Sequence, residues 1–308
     1  MNIKIENKVL VVNSVYSLFY YMLMFDHDMT KTTLVCSGGI DSKFFNKLPN
    51  KIVIRSGILG IVDIFLKLIS DKNFRSIIFK KYKFNYFGHD HLYYSFLFSK
   101  DMDLIEDGLL NYSKSKRKFP LNIIFRNKVP GYGGSVKNIH LSGIEVVPSC
   151  IFDKVKITSI LEAWNKLSVE KKEYINDFFN VNIMTSNIEQ LLLTQPLSEY
   201  NILTEMEKIN IYKKVYEKIR CEYPQSKVFI KPHPRELTDY EALFPDAFIL
   251  DSNCPSELLS LNSVTVENVY TLYSTSIYTF TNSRKVIYGT VMSEKLSNII
   301  GIRHGKEI

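Results

Sequence analysis

The stretch from Gln190 to Pro234 constrains the fold more tightly than any other part of the chain. The apolar run QLLLTQPL is followed by TEMEKINIYKKVYEKI and then by KVFIKPHP. Thr204 and Glu207 have the spacing of a capping box, and Met206, Ile209, Tyr212, Val215, Tyr216 and Ile219 fall on one face at the helical period. A strand, an amphipathic helix and a second strand in that order form a βαβ unit, which belongs in a parallel sheet. Pro232 and Pro234 carry no N–H for a ladder, so the second strand must end there and His233 emerges at its carboxyl edge. In open α/β sheets that edge is where ligands bind.

The same alternation runs through the chain. KVLVVN, TTLVCS, KIVIRS, FNYFG, MDLIEDG and NIHLSG precede this unit, and AFILDS, SVTVEN and SIYTFTNS follow it, with longer amphipathic segments between many of them. The 308 residues suit two domains of about 150 each. The predicted fold class is therefore α/β, with two Rossmann-type doubly wound domains and a cleft between them. KITSILEAWNKLSVEKKEYINDFF reads as one or two helices and NVNIMTSN as a polar connection, so we place the domains at residues 1–185 and 186–308.

The net charge of +7 calls for an anionic neighbour. Basic residues gather in KKYKF (80–84) and in KSKRKFPLNIIFRNK (114–128), where Phe119, Ile123, Ile124 and Phe125 interleave with them. A solvated face, an anionic membrane surface and a nucleic acid all fit this patch, but no nucleic-acid motif supports the last. Residues 9–25 are apolar, yet Asn13 and Ser14 interrupt them, which predicts a buried strand and then a helix capped by Ser14. No run reaches the roughly 20 apolar residues of a membrane span, so a soluble or peripheral cytoplasmic protein is expected. Cys36, Cys150, Cys221 and Cys254 form no C-x-x-C pair and read as buried thiols in a reducing compartment.

Several short patterns need weighing. VCSGGIDS (35–42) follows an apolar run and resembles the phosphate loop of ATP pyrophosphatases, which would make the protein an adenylating enzyme. The other reading is a strand-to-helix turn in which the glycines take positive φ and Asp41 or Ser42 caps the next helix. The loop lies in the second βα unit, away from the first strand where a pyrophosphatase carries it, so we take it as a turn that lines the cleft. DHD (26–28) and DMD (101–103) match the short D-x-D pattern, and GHDH (88–91) holds two histidines without the further ligands zinc needs, so no metal is expected.

His233 sits between two prolines with Lys231 and Arg235 beside it, a cationic setting suited to a phosphate leaving group; a stiff turn is the simpler alternative. Glu257 in CPSELL stands in the first turn of a predicted helix, where a carboxylate can hold ribose hydroxyls. Ser274, Thr275 and Ser276 in YSTSIYT follow a strand-like run and can aim hydroxyl and N–H groups at a phosphate. Upstream, LIEDG places Glu106 and Asp107 at a strand end, as possible bases or as a cap for the LLNY segment; Glu199 in TQPLSEY is a rival base.

FIKPHPRE, PSELL, YSTS and LIEDG together resemble the bacterial sialyltransferases of glycosyltransferase family 52, as do GHDHLYYSF, HLSGIEVVP and LLLTQPL. The resemblance implies a GT-B-like fold and an inverting, metal-independent transfer of sialic acid. The donor is CMP-N-acetylneuraminic acid, and the acceptor is a terminal galactose of a lipooligosaccharide or capsular glycan, in α-2,3 linkage. It implies Asp107 as base, with Glu106 and Glu199 as alternatives, and His233 as acid or phosphate ligand of the departing CMP. Lys231, Pro232, Pro234, Arg235, Glu257, Ser274, Thr275, Ser276 and Gln195 would bind the nucleotide. The expected partners are CMP-sialic acid, the glycan, an anionic inner-membrane surface and, in a homodimer, a second copy. A related transferase with another donor and a non-catalytic glycan or nucleotide binder stay open at this point.

Overall fold

A computed structural model describes residues 7–80, 84–98, 101–112, 129–181, 187–262 and 264–308. Its contacts divide the chain into two compact units, Met1–Phe178 and Phe179–Ile308.

Among the described residues the first unit carries seven strands: β1 (Asn7–Val11), β2 (Thr32–Cys36), β3 (Lys51–Val53), β4 (Phe84–Gly88), β5 (Met102–Ile105), β6 (Val136–Leu141) and β7 (Val155–Ile157). All pair in parallel, in the order β3-β2-β1-β4-β5-β6-β7. The strand order reverses between β1 and β4, which makes their carboxyl ends the topological switch point. Gly88 permits the close pairing there, because its φ is +136° and a Cβ would lie 2.1 Å from the Val11 carbonyl oxygen.

The described residues of the second unit carry six: β8 (Ile188–Leu193), β9 (Val228–Lys231), β10 (Phe248–Ile249), β11 (Val266–Thr271), β12 (Arg284–Ile287) and β13 (Lys306–Glu307). Their order is β10-β9-β8-β11-β12-β13, and only β13 at the edge runs antiparallel. This sheet has its switch point between β8 and β11.

The helix Glu205–Glu222 confirms the βαβ unit and carries the full Thr204–Glu207 capping box. Its buried face is Lys208, Ile211, Tyr212, Val215, Tyr216 and Ile219. Met206, expected on that face, is exposed: it lies about 200° around the helix from Lys208, which takes the core-facing position and meets three carboxylates. SIYTFTNS is not a strand. Thr275–Thr279 forms a 3₁₀ turn in which the Thr279 hydroxyl bonds the Ser276 carbonyl, and the strand follows at β12. Ser14 caps the helix Val15–Met24 as expected. Cys36 and Cys254 are buried, with thiols pushed up to about 12 and about 11 by burial, but Cys150 and Cys221 are exposed.

The helix Ile58–Ser70 is apolar nearly all round. Gly60, Ile64 and Leu68 face the protein, and Gly60 sits where a Cβ would strike the Arg55 carbonyl. Ile58, Leu59, Ile61, Val62, Phe65, Leu66 and Ile69 are exposed. Among the described residues no helix is long and apolar enough to cross a membrane. Segment 114–128 lies outside the described residues.

Candidate active site

In the first unit, polar groups converge where β1, β4 and β5 end. Asp107 Oδ1 accepts from Ser14 Oγ at 2.9 Å and Ser17 Oγ at 3.4 Å, while Oδ2 lies 3.3 Å from His91 Nε2 and 3.8 Å from His89 Nδ1. The Asp107 carboxylate, one candidate cap for LLNY, has the Ser14 and Ser17 hydroxyls as partners. The Asp107 N–H goes to Asn111 Oδ1 at 2.6 Å, and the carboxylate turns instead toward the loops after β1 and β4. Burial alone would raise its pKa, but the positive potential of His89 and His91 and the Ser14 hydroxyl outweigh that and hold the carboxyl well below the usual range. It remains a quarter exposed, so an incoming hydroxyl can reach it.

Glu106 is placed differently. It is fully buried, and its two oxygens take the hydroxyls of Tyr16 (2.6 Å), Tyr112 (2.8 Å) and Ser142 (2.8 and 2.9 Å) and the Ser142 N–H (2.5 Å). A carboxylate so fully engaged ties the helix Val15–Met24 to the ends of β5 and β6 and presents no lone pair to a substrate.

The SGG loop is held by Asn13, whose Oδ1 accepts from Ser37 N (3.1 Å), Ser37 Oγ (2.9 Å) and Gly39 N (3.0 Å). Those amides are the ones a phosphate would need. Neither Gly38 nor Gly39 takes a positive φ, contrary to expectation, and the next element is the 3₁₀ helix Ser42–Lys47 capped by Asp41. The D-x-D pairs are dispersed: Asp26 bonds Lys8 and Thr32, Asp28 bonds Thr30, and Asp103 bonds Asn138 near His140. The third ligand missing from GHDH in the sequence is Asp107: His89, His91 and Asp107 have donor atoms within 4.8 Å of one another and could hold a metal ion.

In the second unit, Gln195 follows β8, His233 follows β9 and Ser274 follows β11, three adjacent strands around the switch point. The turn at His233 is built by Glu236, whose Oε2 accepts the His233 N–H at 2.6 Å and the Thr194 hydroxyl at 2.5 Å, and whose Oε1 accepts from Tyr240 at 2.7 Å. His233 Nδ1 accepts the Arg235 N–H at 3.1 Å, so the neutral ring carries its proton on Nε2. Burial, then Arg235 and Lys231, lower its pKa to about 3. Lys231 does not project into a phosphate pocket. Its ammonium is buried against the carbonyls of Pro232 (2.9 Å) and Ser252 (3.0 Å), fixing the two loops, and burial lowers its pKa. The Arg235 guanidinium bonds the Tyr200 hydroxyl at 2.5 Å and lies over that ring. Gln195 Oε1 accepts the Tyr273 N–H, and Ser274 leads the 3₁₀ turn without capping it by its side chain. Glu257 is buried in the first turn of the helix Ser256–Leu261.

Glu199 accepts from Lys208 Nζ at 2.9 and 3.0 Å and from Leu237 N at 2.8 Å, and Lys208 is wholly buried. Burial opposes its ionisation, but these bonds win and its pKa is lowered. We expect Glu199→Ala to cost about 1.5–3 kcal/mol of stability, since Lys208 keeps only Glu205 at 3.2 Å and Glu236 at 3.8 Å. Urea unfolding checks this; an unchanged midpoint would contradict it.

Two open sheets, parallel but for the edge strand β13 and each with polar groups gathered at its switch point, give an α/β protein of the GT-B fold class. The chain belongs to glycosyltransferase family 52, whose sequence profile matches residues 79–296. It is 37% identical over 251 residues to an uncharacterized protein of Haemophilus influenzae, covering 77% of this chain and 80% of that one. Among solved structures it is similar to an α/β-galactoside α-2,3-sialyltransferase of Photobacterium phosphoreum, with a TM-score of 0.50, 13% identity and coverage of 89% and 87%. It is also similar to a Photobacterium 2,6-sialyltransferase solved with CMP and lactose, with a TM-score of 0.53, 13% identity and coverage of 88% and 69%. At that identity the likeness is one of fold.

Proposed function

We propose that the protein is an inverting sialyltransferase that moves sialic acid from CMP-N-acetylneuraminic acid to a terminal galactose of a bacterial surface glycan, in α-2,3 linkage. The observation that carries this reading is the Asp107 carboxylate, kept ionised and partly open at a switch point in a family 52 glycosyltransferase. An inverting transfer needs such a group to take the acceptor hydroxyl's proton as its oxygen bonds the anomeric carbon and the bond to the CMP phosphate breaks. Membership of family 52 and the use of the loop amides by Asn13 leave the adenylating alternative without support.

His233 offers Nε2–H to an oxygen of the leaving phosphate. With Nδ1 taken by the Arg235 amide, the ring donates a hydrogen bond rather than a proton, stabilising charge as it develops. Glu236 orients it from behind. Glu257 holds the ribose, Ser274, Thr275 and Ser276 contact the phosphate, and Gln195 steadies that loop through the Tyr273 amide. Lys231, Pro232 and Pro234 shape the turn, and Arg235 supplies positive potential. In this reading no metal takes part, and an acceptor anchored in the inner membrane would bring the protein to an anionic surface.

Purified protein incubated with CMP-sialic acid and a lactoside should release CMP and yield sialylated lactoside, with EDTA leaving the rate undiminished. Complete loss of turnover on chelation, restored by Mg²⁺ or Mn²⁺, would overturn the metal-independent mechanism. Absence of any transfer or donor hydrolysis would overturn the choice of donor.

A further inference from the structure

The triad His89, His91 and Asp107 has more chemistry than proton transfer requires. We propose that it is an inhibitory binding site for a transition cation of the zinc class, which silences the enzyme by taking the carboxylate. The binding rests on geometry alone; the silencing rests on the role proposed above for Asp107.

Two imidazoles and one carboxylate are a nitrogen-rich set that suits zinc-class ions and discriminates against Mg²⁺ and Ca²⁺, which take oxygen ligands. Zinc bonds nitrogen and oxygen at about 2.0–2.2 Å, which puts neighbouring ligand atoms ~3.3 Å apart on a tetrahedral ion. His91 Nε2 and His89 Nδ1 lie 3.3 and 3.8 Å from Asp107 Oδ2, and the three donor atoms span no more than 4.8 Å. Small side-chain rotations close that to a tetrahedral edge. The ligands are also pre-oriented. His89 Nε2 is within 2.9 Å of Ser17 Oγ, which turns Nδ1 toward the carboxylate, and the two rings are stacked with centroids 5.0 Å apart. A partner on the far ring nitrogen is the usual way a ligating histidine is steered. His91 and Asp107 are partly exposed, so an ion can enter, and three protein ligands leave a fourth position for water. While the ion is bound, its charge makes Asp107 a poor proton acceptor and the ion stands in the way of a hydroxyl approaching Oδ2.

The test uses the full chain with Cys150→Ser and Cys221→Ser, which removes the two exposed thiols as rival ligands. Zn²⁺ is titrated against this protein in competition with a chromophoric zinc indicator, and Co²⁺ absorption reports the ligand set. One equivalent should bind, His91→Gln should weaken it at least 10-fold, and Ser17→Ala, which removes no ligand, by about 10-fold. Circular dichroism shows that each variant is folded. Equal Zn²⁺ affinity in the parent and both variants would overturn the site. In parallel, saturating Zn²⁺ should stop transfer and EDTA restore it. Binding that depends on His91 with undiminished transfer would leave the site standing and overturn its inhibitory role, and with it Asp107 as base. A protein inactive on CMP-sialic acid that still binds Zn²⁺ through His91 would fault the proposed donor, not the site.

Discussion

Asp107→Ala should fold, bind CMP as tightly as the parent and transfer sialic acid at least roughly 10²-fold more slowly, the scale of a positioned general base. The nucleotide contacts are assigned to residues of the other unit, so KM for the donor should hold while kcat falls. Asp107→Asn is the sharper variant, because it keeps the Ser14 bond and the shape of the site but cannot accept a proton. The pH profile carries the same information. Because the carboxyl is held well below the usual range, its protonated form stays scarce down to mildly acidic pH, and the parent's rate should show no carboxylate limb between pH 5 and 8. Measured kcat and CMP affinity for Asp107→Ala, Asp107→Asn and Glu199→Ala decide the assignment. If Glu199→Ala abolishes transfer at intact CMP affinity while Asp107→Ala is near normal, the base lies in the TQPLSEY loop.

His233→Ala should depress transfer and slow hydrolysis of the donor together, by about 10²–10³-fold, because both reactions expel the same phosphate and both lose one preorganised donor. His233→Gln separates the two ways a histidine could act. A glutamine amide can present an N–H to the phosphate but cannot deliver a proton, so substantial recovery relative to alanine supports the hydrogen-bonding role set by the Arg235 amide on Nδ1. Equal loss in both variants would mean that the ring acts as an acid after all.

The βαβ unit around the helix Glu205–Glu222 was legible because capping chemistry, helical period and proline stops agree there. The same local agreement placed Ser14 as a cap and His233 at a strand end. The misreadings arose where tertiary partners decide. Lys208 occupies a core-facing position only because Glu199, Glu205 and Glu236 surround it in space. Glu236 ends the KPHPRE motif, yet its grip on His233 depends on Thr194 and Tyr240, which arrive from other elements. His89 and His91 looked like an incomplete pair because their third member follows the next strand of the sheet. Lys231 looked like a phosphate ligand, and only the fold reveals two backbone carbonyls waiting for it.

The apolar helix Ile58–Ser70 sets the colloidal behaviour of the isolated protein. Seven exposed aliphatic and aromatic side chains on one helix form a sticky patch, and a net charge of +7 is what keeps such patches apart. Raising ionic strength shortens the reach of that repulsion, and sulfate or phosphate strengthens apolar attraction at the same time. Salting-out and chromatographic retention on hydrophobic resin therefore draw on this helix, and a single acidic replacement at Phe65, in the middle of its exposed face, would weaken both.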